Sequence, residues 1–261
     1  MMKIQHISKY IFSIGIVFIS IGSTAQVKSE SKLETTIIKK DTIAPKKERY
    51  GLRVGIDLYK LTRSFYEKNY RGLELTGDYK LTRKHFLAAE IGNEDKTVND
   101  ARLNFTTKGN YIKIGLDYNT FDNWGSMENM IYGGFRYGFS TFNQTLNSYK
   151  IYNTSSYFGE IPLQSSGEVY KGLSAQWLEL VTGIKAQVFK NVFIGFSFRL
   201  NYLISQKLPY NFDNLYIPGF NRTYNGNFGI GFNYSVSYFI PLYKFTIKSK
   251  DKAEKKKNKK K

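Results

Sequence analysis

From Asn227 to Leu242 the chain alternates between two kinds of side chain. Phe228, Ile230, Phe232, Tyr234, Val236, Tyr238 and Ile240 take one side, and Gly229, Gly231, Asn233, Ser235 and Ser237 the other. A period of two held this long, with aromatic and β-branched residues against small polar ones, predicts a strand separating two unlike media. The same alternation begins at Tyr50 and recurs up to Tyr243. Strands are expected near residues 50–61, 71–82, 85–93, 111–119, 129–142, 173–189, 192–202 and 227–242. The third is the least regular, because Ala88 and Ala89 interrupt its pattern.

Eight such segments predict an all-β fold, a transmembrane antiparallel up-and-down barrel. The connections near residues 83–84, 121–128 and 190–191 are short or moderate, whereas those spanning 62–70, 92–110, 143–172 and 204–226 are long. Tight turns at one end and long loops at the other is the outer-membrane pattern, and an even strand count returns both termini to one side. Aromatics fit this reading, with Tyr 21 and Phe 20 against only 5 Pro.

Alternation is equally compatible with a soluble lipocalin-like barrel, in which the apolar face points inward, so the polar face decides. Its small residues suit a crowded lumen. Its charges are of mixed sign: Arg53, Asp57, Glu74, Asp78, Lys113, Asp117, Arg136, Glu179, Lys185 and Arg199. Opposite charges can pair across a narrow bore, since eight strands leave room for side chains and little more. These ten residues are the candidate lumen network, serving either structural neutralisation or a narrow pore for small solutes or ions. Tyr50, Tyr118, Tyr202, Tyr238 and Tyr243, near strand ends, are placed for interfacial girdles.

The flanks divide the chain into four parts. Residues 1–25 read as a signal peptide: Lys3 and Lys9, an apolar run from Tyr10 to Ile21, then Ser23 and Ala25. That run is shorter than the ~20 residues a spanning helix needs. Residues 26–49 read as a flexible periplasmic leader, 50–243 as the barrel, and 244–261 as a lysine-rich disordered tail. The tail holds ten Lys against Asp251 and Glu254, so much of the +18 net charge lies outside the barrel. A folded nucleic-acid-binding face is therefore not expected. The tail could touch anionic lipid or cell wall. With Cys 0, disulfides, cysteine metal clusters and a cysteine lipid anchor are excluded.

No catalytic constellation emerges, and neither a cofactor nor a metal is expected. His6 lies in the signal and His85 beside a short turn. The aromatics of the long loops, Tyr149, Tyr152, Tyr157, Phe158, Tyr210, Phe212, Tyr216 and Phe220, form the candidate contact surface for an extracellular ligand.

The segment NFGIGFNY, residues 227–234, resembles the assembly signal of the small eight-stranded outer-membrane barrels of Gram-negative bacteria, and the chain resembles uncharacterised barrel families of Bacteroidota-like bacteria in particular. It departs from their usual form by continuing into the lysine tail instead of stopping at an aromatic residue. The resemblance, over residues 50–243, implies outer-membrane lipid and the barrel-assembly machinery as partners. It also implies a binding, adhesion or envelope-integrity role carried by the loops rather than catalysis.

Overall fold

The computed structural model describes residues 46–121, 127–151, 162–222 and 226–247. The expected signal peptide, the leader up to residue 45, the tail from 248, and Tyr152, Tyr157 and Phe158 lie outside the described residues. Eight antiparallel strands close on themselves in sequence order, β1 (Lys46–Asp57), β2 (Tyr70–Lys80), β3 (His85–Asn99), β4 (Leu103–Asn119), β5 (Met130–Tyr149), β6 (Gln164–Phe189), β7 (Val192–Gln206) and β8 (Phe228–Ile247). The ring is sealed by β1 against β8, from Lys46 opposite Ile247 to Asp57 opposite Ser235.

The faces are inverted relative to a water-soluble domain. Phe196 is 55% exposed and Phe232 49%, whereas Arg136 is 2% exposed and Arg199 6%. Ile112, Ile114 and Leu116 likewise face out of β4, with Lys113 and Asp117 between them facing in. Apolar residues outside and charges within is the arrangement of a barrel whose wall meets lipid, and it rules out the lipocalin-like orientation. Tyr118, Tyr202, Tyr238 and Tyr243 are on the outer wall near its rims, and Tyr50 stacks on Tyr243 with ring centroids 5.4 Å apart.

Strand three is regular, contrary to its broken sequence pattern. Phe86, Ala88, Glu90, Gly92 and Glu94 face inward, with Leu87, Ala89, Ile91 and Asn93 outward. Two expected long loops are also mostly strand. β3 and β4 pair up to Asn99 opposite Asn104, leaving residues 100–102 as the connection, and β5 and β6 pair up to Tyr149 opposite Gln164. Outside a membrane both faces of a hairpin meet water, so alternation is lost while pairing continues. The Thr97 and Thr106 hydroxyls, 2.9 Å apart, are one such cross-strand pair.

One element departs from the all-strand expectation. Residues 58–61, expected to end the first strand, instead open a helix, α1 (Leu58–Tyr66). Asp57 caps it, its Oδ1 accepting from the Tyr59 and Lys60 N–H groups. Leu58, Leu61 and Phe65 then recur at helical rather than strand spacing.

Because β1 stops at Asp57, the wall beside it is incomplete. On that side β2 pairs only from Leu75 to Tyr79, and β8 only from Ser235 onward. α1 occupies the space. The Ser64 hydroxyl donates to the Gly72 carbonyl at 3.1 Å and accepts from the Gly72 N–H at 2.8 Å, standing in for a strand partner. Toward β8 the contacts are between side chains: Tyr59 leans on Phe232 at 4.7 Å, and the Thr62 and Tyr234 hydroxyls are 2.5 Å apart.

Candidate functional site

All ten charges of the candidate network point into the lumen, brought there by the two-residue period of the strands that carry them. Arg136 makes a two-pronged pair with Asp117 at 2.7 and 2.9 Å, and its Nε lies 3.5 Å from Glu90. Glu90 takes two bonds from Arg199, at 2.6 and 3.1 Å, and Arg199 also reaches Glu179 at 3.4 Å. Glu179 pairs with Lys113 at 3.0 Å and accepts from the Trp177 indole at 2.7 Å. Lys113 approaches Glu74 at 4.0 Å, and Glu74 meets Lys60 of α1 at 2.8 Å. Lys60 ends the chain on Glu94 at 2.7 Å.

A second group joins Arg53, Asp78 and Lys185, with Asp78 accepting from Lys185 at 2.6 Å and Arg53 Nε 3.6 Å away. Opposite signs alternate along both chains, which offsets the high cost of desolvating each ion. Asp57 stands apart: its partners are the backbone N–H groups of α1, and no ion pair joins it among the described residues.

Lys60, Glu90 and Glu94 complete the network and were not among the expected residues. Glu90 and Glu94 lie on the strand whose phase Ala88 and Ala89 obscure, and Lys60 lies on the helix that replaced the end of strand one. Counting back from Glu94, Gly92 and Glu90 at every second residue recovers the lumenal phase of β3.

Above this network the connection after β7 folds into the mouth. Ile217, Pro218, Gly219 and Phe220 form a tight turn, in which the Phe220 N–H donates to the Ile217 carbonyl at 3.1 Å and Gly219 has φ +82°. Proline second and a left-handed glycine third is the pattern of a type II turn. Any side chain at Gly219 would collide with the Tyr111 ring, whose nearest atom lies 2.6 Å from an added Cβ. Tyr216 donates to Glu94 at 2.7 Å, the Gly219 N–H donates to the same oxygen at 3.0 Å, and Phe220 stands edge-on to Trp177.

Tyr216 and Phe220 are therefore buried in the mouth, which corrects their expected place on an exposed face. Tyr210 is 85% exposed, Tyr149 is half-buried at the end of β5, and Phe212 stacks on Tyr170 of β6. The structure thus splits the five described loop aromatics between a plug, Tyr216 and Phe220, and an outer surface, Tyr149, Tyr210 and Phe212. At the opposite end Arg49 pairs with Glu128 through two bonds, and Glu48 with Arg83 at 2.8 Å. His85 is exposed there, its Nδ1 2.9 Å from the Thr82 hydroxyl.

β5 and β6 project farthest from the loop end. β6 first meets β7 at Ala175, and the Ser174 carbonyl still accepts from the Lys207 N–H at 2.8 Å, so residues 164–173 have β5 on one side and an open edge on the other, about 33 Å of chain at about 3.3 Å per residue. Gly167 and Gly172, both left-handed, and the charged Glu168 and Lys171 interrupt that edge, as exposed edges commonly are.

A family model described as "Domain of unknown function (DUF6048)" matches residues 7–245. Among solved structures, the chain is similar to the crystal structure of Ail, the attachment invasion locus protein of Yersinia pestis. That match has 13% identity over 76% of this chain and 98% of that one, with a TM-score of 0.38. No curated protein matches the chain.

Proposed function

The chain belongs to the DUF6048 family, and we propose that this member is an outer-membrane barrel that holds its loop-end hairpins outside the cell to bind an extracellular partner. The observation that carries the reading is the β5–β6 projection, a two-stranded hairpin standing on a barrel with an apolar wall. A surface presented for recognition is commonly a loop or hairpin held by a rigid scaffold. Tyr149, Tyr170, Phe212 and Tyr210 supply the aromatic contact area near it. No helix among the described residues is long and apolar enough to cross a membrane.

A pore finds less support. The bore is filled by paired charges, and the mouth is occupied by the turn at residues 217–220 and by Lys60 from α1. Replacing residues 145–171, the projection that carries Tyr149 and Tyr170, with a short turn should abolish binding of cells that display the protein to host-cell or matrix surfaces, while gel mobility keeps its dependence on heating. Unchanged binding with an intact barrel would refute the loop-binding role. Extraction without detergent would refute the membrane placement.

A further inference from the structure

Within the bore, cations and carboxylates alternate; at the mouth, cations are in excess. Lys96 occupies the next inward position of β3 after Glu94, opposite Tyr70 of β2. Its Nζ lies over the Tyr216 ring, 4.9 Å from the centroid, and the Arg63 guanidinium of α1 lies 4.0 Å from the centroid of the Tyr70 ring. Tyr70 and Tyr216 donate to the two oxygens of Glu94, so these rings are neighbours and bring their two cations together. Arg222 comes directly after Asn221, whose Oδ1 accepts from the Tyr216 hydroxyl at 3.1 Å.

The carboxylate among them is Glu67, and Arg63 holds it through Nε and Nη2. Glu94 below is already taken by Lys60. Lys96 and Arg222 form no ion pair among the described residues. Three cations against Glu67 leave two positive charges. Lys96 is half-buried, and withdrawing an ammonium from water without a carboxylate is costly. On the outer face of β3, Asn93 and Asp95 replace the apolar row that ends at Ile91, so Lys96 stands beyond the membrane belt. There burial, together with the like charges of Arg63 and Arg222, holds its amine below the ordinary lysine range.

We propose that the mouth is a binding site for a phosphate monoester, held by Lys96 and Arg222 with Arg63 as the third donor. A phosphate monoester carries about −1.5 to −2 charge at pH 7 and three acceptor oxygens. That matches the two charges left over, whereas a carboxylate would neutralise one of them. Arg63 Nη1 makes no hydrogen bond among the described residues, so it can donate while Nε and Nη2 keep Glu67. Glu94 fixes both tyrosine rings before any ligand arrives, which spares the cost of ordering the cations that lie on them. This site rests on the binding role proposed above for the source of its ligand, and the two can fail separately, because phosphate binding is measured without cells.

The test is amide NMR of the full chain in detergent, titrated with inorganic phosphate or acetate at constant ionic strength and pH 7. Saturable shifts at Lys96, Gly219 and Asn221 are expected with phosphate, with acetate weaker by about fivefold or more. Lys96→Gln and Arg222→Gln should each weaken phosphate by about fivefold, and Lys96→Arg should retain it. Arg222 is exposed, so its variant decides the matter even where Lys96→Gln fails to fold. Equal response to the two anions, or undiminished phosphate binding in heat-modifiable variants, would overturn the proposal. A second arm treats the host-cell or matrix surface with alkaline phosphatase before cells displaying the protein are added. Reduced adhesion would place the phosphate on the surface partner; unchanged adhesion with the titration intact would assign the site to a soluble phosphate ester.

Discussion

Arg136 and Asp117 share two hydrogen bonds in a place where neither can reach bulk water. Truncating one partner leaves the other buried and charged, whereas replacing both with apolar groups removes the desolvation cost along with the attraction. Arg136→Ala should therefore destabilise the barrel by about 3–5 kcal/mol, read as a lower temperature for the folded-to-unfolded band shift. The double change Arg136→Leu with Asp117→Leu should recover much of the loss. Gly219→Ala should act locally, freeing the mouth segment to proteolysis near residues 207–222 while the band shift stays in place. The inward charges were legible wherever large apolar residues marked the outer face. They were lost at Glu90 and Glu94 because a lumen also accepts Ala88, Phe86 and Trp177, so apolarity does not identify the outside.

At the scale of elements, α1 was hidden by composition. Leu58, Tyr59 and Leu61 suit a strand as well as a helix, and only the Asp57 cap and the spacing out to Phe65 separate the two. Ser64 then does what a strand backbone would have done for Gly72. Ser64→Val should expose that edge, raising amide hydrogen exchange at Gly72 about fivefold, the equivalent of about 1 kcal/mol for a lost hydrogen bond. Asp57→Ala should loosen the whole helix by a similar amount through loss of its cap. The projecting hairpins were misjudged as loops for a different reason. Period-two hydrophobicity reports a change of medium across a sheet, and it falls silent where both faces of β5 and β6 are wet.

For the molecule as a whole, the strand number, the order of pairing and the direction of each face follow from alternation and turn length, because a one-residue slip would carry a strand's charges into lipid. Phe196→Arg, on the outer wall, should cost about 2–4 kcal/mol if it sits near the membrane midplane, measured as folding yield into lipid vesicles. Phe65→Arg, on the exposed face of α1 near the rim, should change that yield little. How the mouth would be filled was not legible, since the contacts of Tyr216 and Phe220 join residues more than a hundred positions apart in one case and a loop to a strand in the other.

The first strand is fastened unequally. It is stitched to the last strand from Lys46 to Asp57 but to its own successor only from Leu52 to Ile56. Under tension the ring should therefore tear between its first and second staves and not at the junction of the chain ends. A circular permutant that links the two ends and is cut at residues 100–102 would keep the stronger seam covalently spliced.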